Sequence, residues 1–381
     1  MENKLHKSRP APLRESKEIS NWFPKDGLYA EMYDEAREGD MTFSMYLESI
    51  KSHGREERTP YYGLTPAEVF ALRKGYELKG EQAPMTALEE LLYHGGIKAS
   101  GSRTDTVAKL FEFSDLQVLV PEIMSNKIYA GLLMESLVPK FVATETVVRS
   151  GFDYKKLYIN DTEQERQTSI ITPGGDIGET QIGVAQKSIQ MRKFGTYLTI
   201  TYETLEWQRL NVWGICLERI GKQIQIDETD DMFYTIVNGD GNTSTTPGTT
   251  VQTAATGTIA VVDVIAWATG LPAPYKMNVF VGKKALIQEY LATIVGMNNP
   301  FNAYSTGVDL PQHYEWDRTI ITTDYFIGVD SRYGIEHLTS GGIMTESEKI
   351  IRKQINGTAI TYWAGFGIID HNANAIFDEA H

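Results

Sequence analysis

One cysteine, Cys216, stands in 381 residues, so no disulfide forms within the chain and no thiolate cluster for zinc can assemble. Oxidising secretion has no support, and synthesis inside a cell fits the composition. Basic side chains are scarce relative to acids: 36 Lys and Arg against 50 Asp and Glu give a net charge of -14. That balance opposes wholesale neutralisation of nucleic-acid phosphates by the protein as a whole. Long apolar runs are missing too. The nearest approach, residues 259–271, falls short of the roughly 18 needed to cross a bilayer and carries Asp263. Residues 1–21 hold Lys4, Lys7, Arg9, Arg14 and Lys17 among prolines and acids, with no apolar stretch of signal-peptide length. Neither a solenoid-length repeat nor a low-complexity block is found.

Several catalytic signatures are likewise missing. The sequence holds no phosphate-cradling Gly-x-x-x-x-Gly-Lys, no Gly-x-Gly-x-x-Gly after a strand and no Gly-x-Ser-x-Gly elbow. Seven histidines, His6, His53, His94, His313, His337, His371 and His381, show no pair at metal-binding spacing, and surface or structural roles are expected. What remains is a chain that folds: 41% hydrophobic and 23% charged residues suit a packed core, and the length predicts two or three domains.

Residues 1–115 read as short helices between turns. Thr65, Pro66 and Glu68 form a capping box, Val69, Phe70 and Leu72 supply apolar contacts, and Gly75 is placed to end the helix. A helix over 86–94, an extended turn and a helix over 104–111 follow. This unit loosely resembles the SAP or helix-extended-helix motif, whose members often bind DNA. Its charges balance, Lys98, Arg103 and Lys109 against Glu89, Glu90 and Asp105, so a packing role is preferred.

From Leu119 the pattern changes: Pro121 opens a helix carrying Ile123, Ile128, Leu132, Leu133 and Leu137, Pro139 ends it, and 141–148 is a β-branched run. Strands over 152–159 and 188–202 then bracket an excursion, residues 160–187, too polar to bury a core of its own. A lone two-stranded hairpin is marginal in water, so this one needs a surface to lie on, and the expected surface belongs to another subunit.

A helix over 212–237 places Trp213, Leu217, Ile220 and Ile224 on one face, with Glu218 and Lys222 at ion-pair spacing and Cys216 in a buried apolar role. It ends in the turn-forming Asn238-Gly239-Asp240-Gly241-Asn242. Between Asn242 and Tyr275 the only charge is Asp263, a shift that marks a separate domain. Strands over 278–281, 319–323 and 325–329, a helix over 283–294, and a returning strand over 350–369 alternating through Ile351, Ile355, Ala359 and Thr361 complete an α+β chain.

The stretches LVPEIMSNKIYAGLLMESLVPKF, KSIQMRKFGTYLTITYETLE and LERIGKQIQIDETDDMFYTIVNGDGN, with the tail from Asp330, stand in an order that resembles the major capsid proteins of tailed bacteriophages, of the Hong Kong ninety-seven type fold. The resemblance covers residues 119–381. It implies a helical N-terminal extension over 1–115, retained and folded; an N-arm and first core helix over 116–150; and an E-loop hairpin over 151–200. It further implies the spine helix of a peripheral domain over 201–241, an axial domain over 242–332 and closing strands over 333–381. Glu163, Arg166, Ile170, Ile171, Pro173 and Ile177 would then contact a neighbouring subunit, and Trp213, Leu217, Ile220 and Ile224 would form the spine's core.

The function implied is assembly rather than catalysis: an icosahedral virion shell around double-stranded DNA, without cofactor or metal. Its partners would be copies of itself as hexamers and pentamers, a portal, scaffolding or decoration proteins, and weakly held DNA on the inner face, with assembly in the host cytoplasm and no membrane. Covalent cross-linking of the family's lysine type is doubtful, because residues 160–186 contain no lysine. An encapsulin-like nanocompartment is the alternative within the fold. A metal-dependent hydrolase using Asp227, Glu228, Asp230 and Asp231 is the alternative outside it, although a solvated face or inter-subunit salt bridges explain those acids better. Asn238, Asp240 and Asn242 mimic a calcium loop, yet Thr243 and Thr249 occupy the positions of its glycine and closing glutamate, and turn chemistry accounts for them.

Overall fold

The structure, a computed structural model, describes residues 28, 31–39, 41–53, 58–98, 104–112, 118–134, 136–148, 153–155, 157–159, 182–184, 188–240, 249–252, 259–295, 311–318, 325–340 and 342–378. Two compact units divide the chain, each gathered from three separate stretches. The first comprises Met1–Glu135, Gly195–Gln225 and Gly342–Tyr362; the second comprises Ser136–Phe194, Ile226–Gly341 and Trp363–His381.

In chain order the helices of the N-terminal stretch are α1 (Glu31–Glu38), α2 (Phe43–Ser52), α3 (Pro66–Leu78), α4 (Ala87–His94), α5 (Ala108–Glu112) and α6 (Val120–Leu133). A one-turn helix, α7 (Val138–Phe141), precedes strands β1 (Thr144–Val147), β2 (Asp153–Tyr154), β3 (Leu157–Ile159), β4 (Ile182–Val184), β5 (Ile189–Gln190) and β6 (Arg192–Thr201). Then come α8 (Tyr202–Trp207), the long α9 (Leu210–Asn238), β7 (Thr249–Gln252), α10 (Val261–Ala268), β8 (Val279–Gly282) and α11 (Lys284–Val295). The chain continues through β9 (Gln312–Glu315), β10 (Tyr325–Val329), β11 (Ile335–Thr339), β12 (Met344–Ile350), β13 (Ile355–Ile368) and β14 (Asn374–Asp378).

In the first unit the capping boxes read from the sequence are present: Thr65 with Glu68 opens α3, and Thr86 with Glu89 opens α4. α2 and α4 are tied by the buried Glu48, whose carboxylate accepts from Ala87 N at 2.5 Å and Thr59 Oγ1 at 2.8 Å. Lys51 adds an ion pair to Glu90 at 2.7 Å. α3 buries no residue; Val69 and Phe70 are half-buried and Leu72 is exposed, because that spacing spreads the three around the helix. Gly75 lies inside α3, and the left-handed exit is at Gly80, φ +71°. The expected second helix over 104–111 is reduced to the five residues of α5.

α6 crosses the first half of α9 at backbone contact. A Cβ on Gly131 would stand 2.0 Å from the Glu218 carbonyl oxygen, and one on Gly221 would stand 2.0 Å from that of Ile128. Only glycine permits this approach, and Lys127 of α6 pairs with Glu218 beside it at 3.3 Å, where the sequence suggested Lys222. β12 pairs antiparallel with residues 355–361 of β13, from Met344 opposite Thr361 to Ile350 opposite Ile355.

The second unit holds two sheets. One runs β7-β14-β10-β8-β9, with β7 and β9 parallel to their neighbours and the central pairs antiparallel. Its core is aromatic: Trp267, Phe280, Phe326 and Phe377 are fully buried, with ring centroids of Trp267 and Phe280 5.1 Å apart and edge-on. Asp263, the lone charge of its stretch, turns back to accept from Ala260 N and so caps α10. In the other sheet β1 lies parallel to β11, and β11 antiparallel to residues 364–368 of β13. A second core joins Phe141, Met232, Phe233, Ile236, Val281, Ile327 and Phe366.

Three expectations are corrected. Pro139 does not end the helix before it but opens α7, in the first turn where a missing N–H costs nothing. The returning strand β13 buries the opposite parity: Thr358, Ile360, Tyr362, Ala364, Phe366 and Ile368 face inward, while Ile351 is exposed and Ile355, Ala359 and Thr361 are half-exposed. A 3-10 turn over Ile351–Lys353 and the left-handed Gln354, φ 53°, separate Ile351 from the strand it was counted with. Cys216 is exposed, one position round the helix from the buried Leu217.

The glycine crossing makes a direct prediction. Gly131→Ala and Gly221→Ala should each destabilise the protein by about 1–3 kcal/mol or more, since the obstacle is backbone. Gly75→Ala, with nothing within 4 Å of its Cβ position, should be neutral or stabilising. Thermal melts of the three variants check the contrast.

Candidate functional site

The region of interest is the stem of the hairpin that brackets residues 160–181, together with the groups that hold it within the second unit. β2 pairs with β5, Asp153 opposite Gln190, and β3 pairs with β4, Leu157 opposite Val184 and Ile159 opposite Ile182. Each pairing is a two-stranded ladder that joins neither larger sheet. At the foot, Ile189 and Met191 pack on Leu338 of β11, with Val148, Tyr154 and Trp363 around them.

β11 is buried on both faces, and successive residues serve opposite sides. Glu336 accepts from Thr146 Oγ1 at 2.5 Å and from the Tyr154 hydroxyl at 3.1 Å, fixing β2. Burial first, and the Glu336 charge second, raise the Tyr154 hydroxyl pKa above its usual value. His337, its neighbour, turns the other way, stacks on Phe366 at 5.1 Å and bonds Glu228 of α9 at 2.8 Å.

Arg192, the first residue of β6 and only two beyond β5, forms an ion pair with Asp231 of α9 and lies over the Tyr234 ring at 5.3 Å. Asp231 is 6% exposed, and its carboxyl pKa is pushed up to about 6; burial is the main cause, the Glu228 charge adds to it, and Arg192 opposes it. Asp230 accepts from Trp316 Nε1 at 2.7 Å and from Arg318 Nε at 3.1 Å, and Asp227 lies 3.9 Å from Arg318.

The four acids of α9 therefore diverge: Asp231 meets Arg192, Glu228 meets His337, and Asp227 and Asp230 share Arg318. They do not share one solvated face, because each is engaged within the chain and Glu228 and Asp231 are buried. Among the described residues no three His, Cys, Asp or Glu side chains converge to hold a metal. The calcium-like Asp240 instead accepts from Ile368 N at 3.1 Å, beside Gly239 at φ +84°.

A cleft of about 390 Å³ in the first unit is lined by Tyr33, Phe43, Glu122, Tyr129 and Met344 among others. Its one buried acid, Glu122, already accepts from Ser44 N at 3.0 Å and Ser44 Oγ at 2.5 Å. Nothing there is arranged as a nucleophile with its base.

Of the residues picked from the sequence, Trp213, Leu217 and Ile224 are buried on one flank of α9 and Ile220 is half-buried. Glu163, Arg166, Ile170, Ile171, Pro173 and Ile177 lie outside the described residues. Arg192, His337 and Glu336 escaped the sequence reading. One signal was available: Glu228 and Asp231 continue the buried stripe of Leu217 and Ile224 at helical spacing, which marks carboxylates with partners to be found.

Residues 117–300 match the phage capsid family. Among solved structures, the chain is similar to the capsid of the native GTA particle, at 14% identity and TM-score 0.46 over 64% of this chain and 89% of that one. It is similar to the capsid of cyanophage P-SCSP1u at 11% identity and TM-score 0.46, over 64% and 88%. A virus-like particle from Pyrococcus furiosus aligns at 8% identity and TM-score 0.44, over 68% and 98%. No curated protein matches the sequence. The match to the phage capsid family spans just under half of the chain.

The raised Asp231 pKa fixes the sign of one pH effect. Its folded-state value lies above the ordinary 3.8, so the folded state holds the proton more tightly. Its contribution to stability is greatest below about pH 4, declines as pH rises to about 6, and is constant beyond, a total change of about 3 kcal/mol. Asp231→Asn should flatten the dependence of urea-unfolding free energy on pH between about 4 and 6; an unchanged slope would sink the assignment.

Proposed function

We propose that this protein is the major capsid subunit of a tailed bacteriophage, tiling as pentamers and hexamers into an icosahedral shell around double-stranded DNA. The observation that carries the reading beyond the family match is the hairpin stem. Among the described residues its strands pair only with each other, two by two, at the foot of a 22-residue excursion over residues 160–181. Such a ribbon is marginal by itself and is completed by another surface. In a shell that surface is a neighbouring subunit, and Glu163, Arg166, Ile170, Ile171, Pro173 and Ile177 supply the contacts.

Assembly then supplies stability that the isolated subunit lacks, with the buried face of α9 at Trp213, Leu217, Ile220 and Ile224 as the rigid spine. Residues 242–332 form the axial domain under this reading, and residues 1–115 a folded extension. Portal, scaffolding or decoration proteins and loosely held DNA complete the particle, which assembles in the host cytoplasm.

Deleting residues 161–185 should abolish shells in electron micrographs while circular dichroism still reports a folded chain. Intact shells from that variant would overturn the reading. Micrographs of the unaltered protein separate the alternative within the fold: shells filled with nucleic acid support a virion, and shells filled with protein support a nanocompartment.

A further inference from the structure

Within the first unit, α8 and the start of α9 present apolar side chains that none of the described residues covers. Trp207, the last residue of α8, is 82% exposed, and Val212 and Ile215 on α9 are 43% and 57% exposed. Val212, Ile215, Cys216 and Arg219 follow one another at spacings of three, one and three, a single stripe of the helix. It lies opposite the flank where Trp213, Leu217 and Gly221 are buried. Single exposed apolar side chains are ordinary on a protein surface; a nearly bare tryptophan next in sequence to an aliphatic stripe is not.

The charges around this surface identify its occupant. α8 exposes Glu203 and Glu206, one turn before and next to Trp207, while the α9 stripe ends in the exposed Arg219, with Arg209 between the helices. None of these four forms an ion pair among the described residues. Two acids thus stand at the α8 end and Arg219 at the far α9 end, with Arg209 between them. On a protein of net charge -14 any two copies repel on average, so a contact between copies must offset that locally. A surface carrying both signs, separated, does so when a second copy lies head to tail against it, acids facing arginine. A nucleic acid or an anionic membrane would instead meet Glu203 and Glu206.

We propose that this surface binds a second copy of the chain, the α8 face of one (Glu203, Glu206, Trp207) meeting the α9 stripe of the other (Val212, Ile215, Arg219). The inference rests on the shell reading and adds to it a contact separate from the hairpin. Trp207 would be the anchor, with its ring placed to receive the neighbour's Arg219.

Because Cys216 is the only cysteine and lies on the stripe, it reports the contact directly. Its thiol should react with a maleimide at least about tenfold more slowly in assembled particles than in dissociated subunits. Arg219→Glu should lower particle yield by about tenfold or more, and adding Glu203→Arg and Glu206→Arg should restore it, with melting temperatures unchanged because these groups are exposed. Equal labelling in particles and subunits, or full assembly of Arg219→Glu, overturns the proposal while leaving the shell reading intact. Small discrete oligomers with a protected Cys216 would support this contact and count against the shell. Monomers at every concentration, with Cys216 freely labelled, would overturn both.

Discussion

Burying a carboxylate is unfavourable unless a cation or a donor faces it, and α9 buries two within a single turn, Glu228 and Asp231. His337 and Arg192 meet them, and those partners come from β11 and from the strand that leaves the hairpin. The requirement therefore sets the position of the hairpin foot in the second unit. β11 must present its histidine on one face and its glutamate on the other, and Glu336 in turn holds Thr146 and Tyr154. Apolar packing of Ile189, Met191 and Leu338 fills the space between these polar ties. Removing one member of such a pair leaves the other buried without a partner, which costs more than the pair itself contributes.

The first half of α9 is held by different means. There the constraint is steric: Gly131 and Gly221 let two helices meet at their backbones, so van der Waals contact rather than charge fixes the crossing. One helix thus carries two kinds of specification along its 29 residues, close approach in the stretch up to Gln225 and paired charge in the stretch from Ile226.

Much of this was open to reading in the sequence. Local rules with short reach did well: Thr65 and Thr86 capped helices with Glu68 and Glu89 as their spacing implied, and the long helix and the two strands flanking the excursion were found where periodicity placed them. What failed depended on residues distant in sequence. The parity of β13 was misread because a left-handed Gln354 stands between Ile351 and the strand, and no periodicity reveals which face a turn will present. Cys216 was expected inside, but neighbours on a helix lie about 100° apart, and the partner helix covers only the Leu217 side. The acids of α9 were visible as a cluster; that they would find partners between 39 and 109 positions away in sequence was not.

The placement of β14 has a bearing on how the chain is made. It sits between β7 and β10 inside its sheet, although every other member of that sheet is synthesised before it. At the usual ribosomal pace of about 5–20 residues per second, the aromatic side chains of β8 and β10 wait many seconds beside an open slot. Until Asn374–Asp378 emerges, two strand edges of the nascent sheet remain available to any passing extended segment. Chaperone cover during translation, rather than the fold itself, would be the safeguard for that interval.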